Sequence, residues 1–309
     1  MQSDMLKLSV INKQIKTNKA EFISKCEKHY EDQLDIVTQK ILENEKIRLV
    51  LLAGPSSSGK TTTSNMIAKK LGEHGKKAKA IAFDNFYHDQ EVAFYFEDGT
   101  IDYETIKALD TSLLISCLKD LVTKGETMLP EFDFVAKKRT LAKTKMTLEK
   151  DEIIILEGLH ALNPEISADF AEDSLIKLYV SVSSRITDDE GNVIFSKRDL
   201  RFIRRLIRDY HYRSSSVDNT LYLWNGVLMG EDRYIFPYSP LAAYKIDSIH
   251  PYEICVFKEN ALELLKQTKT DSKSLAYTKE LIEKLGKVND LSEKNVPKDS
   301  LLVEFIAQR

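Results

Sequence analysis

The sequence predicts an α/β fold, a parallel sheet with helices on both faces, and three observations predict it. Near-continuous apolar runs at 47–53, 78–83, 153–156 and 176–182 suit strands buried on both faces. Segments of helical periodicity lie between or after them, an alternation that packs helices against a parallel sheet. The first run leads directly into Gly54, Pro55, Ser56, Ser57, Ser58, Gly59, Lys60 and Thr61. This matches G-x-x-x-x-G-K-[ST] at every fixed position, and strand, loop and helix in that order give the P-loop NTPase fold.

Each position of the loop has a physical reason. Gly54 and Gly59 permit backbone angles and close approaches that a Cβ would block, so successive N–H groups can surround phosphate oxygens. The following helix, roughly 60–71, adds its positive N-terminal end to the same anion. Lys60 reaches the β and γ phosphates and the Thr61 hydroxyl ligates magnesium. Residues 54–61 together with Thr62 are therefore the expected ATP site, with Mg2+ as the companion ion.

The remaining elements follow in chain order. Residues 1–46 contain no Gly or Pro and carry spaced apolar residues such as Phe22, Ile23, Cys26, Leu34, Val37 and Ile41, which predicts an N-terminal extension of one or two packing helices. Residues 47–265 read as the nucleotide-binding domain. Within it the clearest helix spans 111–124, with Leu114, Cys117, Leu118 and Leu121 on one side and Gly125 as its stop. Residues 266–309 read as a helical tail packed on that domain, with no chemistry of its own.

Ligands of parallel sheets bind at the carboxyl ends of the strands, which singles out the residues just after each apolar run. Asp84, after the second run, is placed to accept a proton from a substrate hydroxyl or to hold a metal-bound water. Glu157 ends the third run as a Walker B carboxylate would, acting on magnesium with Thr61. His160 reads as a structural histidine. Arg201, Arg204, Arg205 and Arg208 fall at i, i+3, i+4 and i+7, opposite Ile203, Leu206, Ile207 and Tyr210. The guanidinium stripe predicts a lid around 196–216 that neutralises the transferring phosphoryl group.

Of the 309 residues, 42% are hydrophobic and 30% charged, enough for a full core as one large domain plus additions. A net charge of -3 gives no electrostatic reason to expect a nucleic acid or a membrane surface as the main partner. The three cysteines, Cys26, Cys117 and Cys255, are far apart, as suits reduced thiols in a cytoplasmic protein. No apolar run is long enough to span a bilayer, and the polar start lacks a signal peptide's pattern.

Taken together, the P-loop, the turn Asp84-Asn-Phe-Tyr87, Ile155-Leu-Glu-Gly158 and Arg204-Arg-Leu-Ile-Arg-Asp209 resemble the uridine kinase and phosphoribulokinase superfamily. Arg208-Asp-Tyr-His-Tyr-Arg213, Tyr234-Ile-Phe-Pro237 and the stretch 297–306 resemble its bacterial uridine kinase-like branch, which often follows a TGS-type domain; no such domain is recognisable in residues 1–44. The resemblance covers roughly 45–306. It implies transfer of the γ-phosphoryl group of ATP to a nucleoside 5′-OH, with Asp84 as general base, Asp102 contacting ribose hydroxyls, Lys60 catalytic, and Arg204 and Arg208 as catalytic lid arginines. It further implies that Tyr87, Phe132, Lys137 and Arg139 join Asp84 and Asp102 around the acceptor.

One departure bears on the acceptor. Pyrimidine nucleoside kinases resembling this chain read the base with a Tyr and a His, where this sequence has Phe132 and Lys137. Another sugar-type or pantothenate-like alcohol is therefore the alternative acceptor, and a catalytically idle nucleotide sensor the alternative class. A GTPase reading would rest on residues 268–271, Thr-Lys-Thr-Asp, which follow a helix-like rather than a strand-like segment. A homo-oligomer is compatible with the sequence.

Overall fold

The computed structural model describes residues 5–89, 94–97, 99, 102, 104–133, 136, 138–269 and 274–306. The chain begins with β1 (Met5–Lys7), α1 (Leu8–Thr17) and α2 (Lys19–Leu42). It continues through β2 (Leu49–Ala53), α3 (Lys60–Glu73), β3 (Ala78–Ala82), α4 (Thr111–Lys124), β4 (Glu126–Asp133), β5 (Lys138–Thr147) and β6 (Ile153–Glu157). Then come α5 (Pro164–Ser167), β7 (Leu175–Ser181), β8 (Arg185–Thr187), β9 (Val193–Phe195), α6 (Lys197–Tyr212), α7 (Val217–Tyr234), β10 (Tyr244–Asp247), α8 (Glu253–Leu265) and α9 (Leu275–Gly286).

Five strands form one parallel sheet in the order β10-β7-β2-β6-β3. The four apolar runs are β2, β3, β6 and β7, of which β7, β2 and β6 are the inner strands and β3 an edge, and every residue of β2 and β6 is buried. Alternate residues go to opposite faces, as the pleat requires. Val50, Leu52, Ile153 and Ile155 join residues of α2, α3, α6 and α8, while Leu49, Leu51, Ile154 and Leu156 join Leu114, Leu118 and Leu121 of α4. Both faces are thus covered, which is why the runs are continuous rather than alternating. The register sets Glu157 opposite Leu52 on one side and Ala82 on the other, so the ends of β2, β3 and β6 lie side by side.

The helix boundaries have local causes. Asp110 caps α4 by accepting from Leu113 N at 2.9 Å, and Gly125 ends it at φ 79°, in the left-handed region. Ser196 and Asp199 form a capping box at the start of α6. Helix α2 belongs to the main core through Tyr30, Leu34, Val37 and Ile41, and its Tyr30 Oη lies 2.7 Å from Thr63 Oγ1 in the helix of the phosphate loop. Two further sheets stand outside the sequence expectation: the antiparallel hairpin β4–β5, and a small sheet in the order β1-β8-β9. No helix among the described residues is long and apolar enough to cross a membrane.

Candidate active site

The loop after β2 is shaped by close contacts. A Cβ on Gly54 would lie 2.2 Å from Val180 O, and Gly59 adopts φ 85° with Leu301 Cδ1 2.5 Å from the Cβ position. Both glycines are therefore required by geometry, one by space and one also by conformation. The hydroxyls of Ser57 and Ser58 are buried with no hydrogen-bond partner among the described residues, while Ser56 N donates to Glu231 Oε1 at 3.0 Å. Lys60 Nζ donates to Pro55 O at 3.1 Å. Burial pulls the Lys60 pKa down, opposed by Glu157, Asp84 and Glu304 around it.

Thr61 Oγ1 donates to Glu157 Oε1 at 2.8 Å. Burial pushes the Glu157 carboxyl up to about 7, with Lys60 pulling it down and Asp84 adding to the rise. A hydroxyl and a carboxylate at the foot of a phosphate loop are a hard-oxygen set that suits Mg2+, which takes few protein ligands and fills its octahedron with phosphate and water. No group of three or more His, Cys, Asp or Glu that could hold a metal ion stands among the described residues.

Asp84 lies in the 3-10 turn Phe83–Phe86 that follows β3. Gly158 brings this turn against Glu157, since a Cβ there would lie 2.3 Å from Phe83 Cβ. Asp84, Lys60, Thr61 and Glu157 accordingly line one cleft of about 590 Å³ at the carboxyl edge of the sheet, the position expected for a ligand of a parallel sheet.

Helix α6 differs from the expected lid in a specific way. Leu200, Phe202, Ile203, Leu206 and Ile207 belong to the main core, so the helix is a wall of the domain. Arg204, expected at the transferring group, is fully buried and does not line the cleft. Its guanidinium donates to Glu253 at 3.0 and 2.5 Å, to Ser248 O at 2.8 Å and to Ser57 O at 3.4 Å. Arg201 is likewise buried, donating to Glu231 at 2.5 and 2.7 Å and to Ser56 O at 3.0 Å. Arg208 does reach the cleft, joined by Arg205 of the same stripe and by Arg213, to which sequence reasoning assigns no role in the site. Arg205 Nη1 donates to Ser56 Oγ at 2.8 Å, and Asp209 ties the group together through Arg205 Nε at 3.1 Å and Arg208 Nη2 at 2.7 Å. Burial would raise the Asp209 carboxyl, but Arg208, Arg205 and Arg213 outweigh it and hold the pKa below the ordinary value. Tyr210, expected on the apolar side, is exposed.

On the acceptor side Tyr87 and Phe132 both line the cleft, with ring centroids 5.7 Å apart. Lys137 lies outside the described residues. Arg139 turns elsewhere: it does not line the cleft, and its Nη1 donates to Asp110 Oδ2 at 3.1 Å and Phe86 O at 3.5 Å, bracing the Asp84 turn against the start of α4. Asp102 lines the cleft, yet its Oδ2 accepts from Tyr234 Oη at 2.6 Å and its Oδ1 from Glu104 N at 3.1 Å. Glu104, two residues on, is buried in the cleft with Oε2 unpartnered among the described residues. Burial pushes its carboxyl up to about 7, with Arg205 pulling it down. His160 Nε2 lies 2.8 Å from Glu104 O, and burial lowers the imidazole pKa to about 4, so the ring is neutral and positions Glu104, in line with a structural histidine. Glu304, from the C-terminal segment expected to carry no chemistry, also lines the cleft. For the GTPase reading, Thr268 and Lys269 follow helix α8 rather than a strand, and the other two residues of that tetrad lie outside the described residues.

Comparison with known proteins identifies the family. The family model "Phosphoribulokinase / Uridine kinase family" matches residues 49–250. A protein named uridine kinase from Limosilactobacillus reuteri is 33% identical over 181 residues, covering 59% of this chain and 73% of that protein. One of the same name from Staphylococcus aureus is 30% identical over 190 residues, covering 61% of this chain and 82% of its own. A solved structure described as "Structure of a Possible Uridine Kinase from Bacillus stearothermophilus" shares 18% identity and a TM-score of 0.47 over 70% of this chain and 98% of that one. With a glycine-rich phosphate loop, a facing acidic turn and an arginine-bearing wall in one cleft, and the family model covering the segment that builds them, the chain belongs to the phosphoribulokinase/uridine kinase family.

Proposed function

We propose that this P-loop phosphotransferase moves the γ-phosphoryl group of ATP to the 5′-OH of a nucleoside-type acceptor. The observation that carries the reading is the arrangement of one cleft: Asp84 and Glu104 on the acceptor side, Lys60 and Thr61 at the phosphate loop, and Arg205, Arg208 and Arg213 along the wall. Asp84 would take the proton of the acceptor hydroxyl, a poor nucleophile until that proton is withdrawn. Glu104, backed by Asp102 and His160, would hold a vicinal diol such as that of ribose. Lys60 and the arginines would neutralise charge on the transferring group, the main requirement of phosphoryl transfer. Thr61 and Glu157 would hold Mg2+, which would supply charge neutralisation to the phosphate chain.

Support for the nucleoside comes from relatives that carry the name uridine kinase. Phe132 favours a second acceptor class, because its ring has no hydroxyl to bond a base. A pocket without such a bond discriminates weakly, so we expect either several nucleosides or another sugar-type or pantothenate-like alcohol to serve. A cytoplasmic place in nucleoside salvage fits three buried, unpaired cysteines. The deciding experiment measures ADP release by the purified protein across a panel of nucleosides and sugar alcohols, with Asp84→Asn as the blank. Acceptor-dependent release that vanishes in the variant supports the reading. ATP binding without release on any acceptor would leave the protein a nucleotide sensor.

A further inference from the structure

The C-terminal segment reaches the donor side of the cleft. In the 3-10 turn Leu301–Phe305, the side chains of Leu301, Leu302 and Phe305 are fully buried in the main core. Leu301 packs on Gly59, and Glu304 accepts a hydrogen bond from Thr62 Oγ1 at 2.6 Å. The segment is anchored on both sides of that contact. Ser300 Oγ donates to Glu27 Oε1 at 2.8 Å, Tyr212 Oη donates to Ile306 O at 2.5 Å, and the Arg204 guanidinium lies 5.1 Å from the Phe305 ring. Glu304 is thus held at the first turn of α3 by a fixed strap.

That position creates a conflict of charge. The first turn of α3 offers free N–H groups and the positive end of the helix, which the loop uses to hold phosphate. A carboxylate bonded to Thr62 draws on the same hydroxyl and the same field. It also stands with Glu157 and Asp84 around the Lys60 ammonium, so a polyphosphate entering the cleft meets a like charge at close range.

We propose that Glu304 is a built-in competitor of the donor's phosphate chain, a positioning residue that sets how tightly nucleotide is held. The strap stays seated through Leu301, Leu302 and Phe305, while the Glu304 side chain turns away from Thr62 when phosphate takes its place. The inference rests on the donor site proposed above and assigns it a residue from outside the segment matched by the family model.

The test is calorimetric binding of MgADP and of inorganic tripolyphosphate to the full chain and to two variants. Glu304→Gln keeps the size and an acceptor for Thr62 while removing the charge, and should bind both ligands about tenfold more tightly, a gain that shrinks as salt is raised. Glu304→Asp keeps the charge and should show no comparable gain. Equal or weaker binding by Glu304→Gln, or the same gain in both variants, overturns the proposal. If the native chain and both variants bind neither ligand, the donor site itself is absent and the competition has no object.

Discussion

Helix α6 carries two kinds of arginine within two turns. Arg201 and Arg204 point inward, each paired with a buried glutamate, Glu231 and Glu253, and each also donating to a carbonyl of the phosphate loop, Ser56 O and Ser57 O. Arg205 and Arg208 point into the cleft and share Asp209. The inner pair have their donors committed to protein acceptors and fix the shape of the loop. The outer pair share one carboxylate, with Arg205 also donating to the Ser56 hydroxyl of the loop, an arrangement a phosphate can enter without leaving a buried charge alone. Residue type and helical spacing are the same, and the difference in role comes from what surrounds each guanidinium.

Substitutions can break this division. The largest effect on turnover should come from the loop and the acidic turn that the arginines serve. Asp84→Asn keeps the shape but cannot take a proton, so turnover should fall about a hundred- to ten-thousandfold with the unfolding midpoint unchanged. Lys60→Ala should lose turnover to at least a similar extent together with nucleotide affinity, read by calorimetry beside steady-state rates. If either variant turns over normally, its residue has no part in the chemistry.

Next in size is Arg204→Ala, which leaves Glu253 buried without its partner. Such a break costs about 3–5 kcal/mol, so denaturant unfolding should move far toward instability and any remaining folded enzyme should bind nucleotide poorly through a loosened loop. Native-like stability with a selective loss of turnover would instead return Arg204 to the reacting group. Arg208→Ala should do the reverse of the expected Arg204→Ala result. Turnover should fall about ten- to a hundredfold, with the unfolding curve nearly that of the native protein.

What the sequence disclosed depends on how local each feature is. The loop at 54–61, Asp84 and Glu157 are legible because each sits at a fixed offset from an apolar run, and the run itself marks a buried strand. The arginine stripe is only half legible. A 3.6-residue period tells which residues share a face, but α6 is packed so closely that even charged members of the stripe are buried, and no local pattern reveals Glu231 or Glu253 as their partners. Glu104 and Glu304 were missed because their place depends on long-range packing, against Gly230 for the first and Gly59 for the turn that carries the second. The acidic pair Asp102 and Glu104 was a signal available for the first. Hairpin strand β5 was missed because it is exposed and rich in Lys and Thr, with no apolar run to announce it.

The smallest expected effect tests whether the outer arginines act on the cleft electrostatically. Glu104 has its carboxyl raised from 4.5 to about 7, burial being the larger influence and Arg205 the opposing one. A group whose pKa is raised by folding contributes its full stability below the unfolded value, and that contribution is lost as pH rises toward the folded value. Stability should therefore decline between about pH 4.5 and 7 and level off above, by something of the order of 1–3 kcal/mol. Glu157, raised to about 7 as well, contributes in the same window, so Glu104→Gln should flatten the decline only in part. Arg205→Ala removes the cation that favours the charged form, so the Glu104 midpoint, followed by the carboxyl carbon shift in NMR, should move upward and the decline extend to higher pH. A Glu104 midpoint that Arg205→Ala leaves in place would mean that Arg205 is screened from the cleft and that the two kinds of arginine differ less than their contacts imply, whereas a midpoint near 4.5 in the native chain would mean that Glu104 is not desolvated in the cleft.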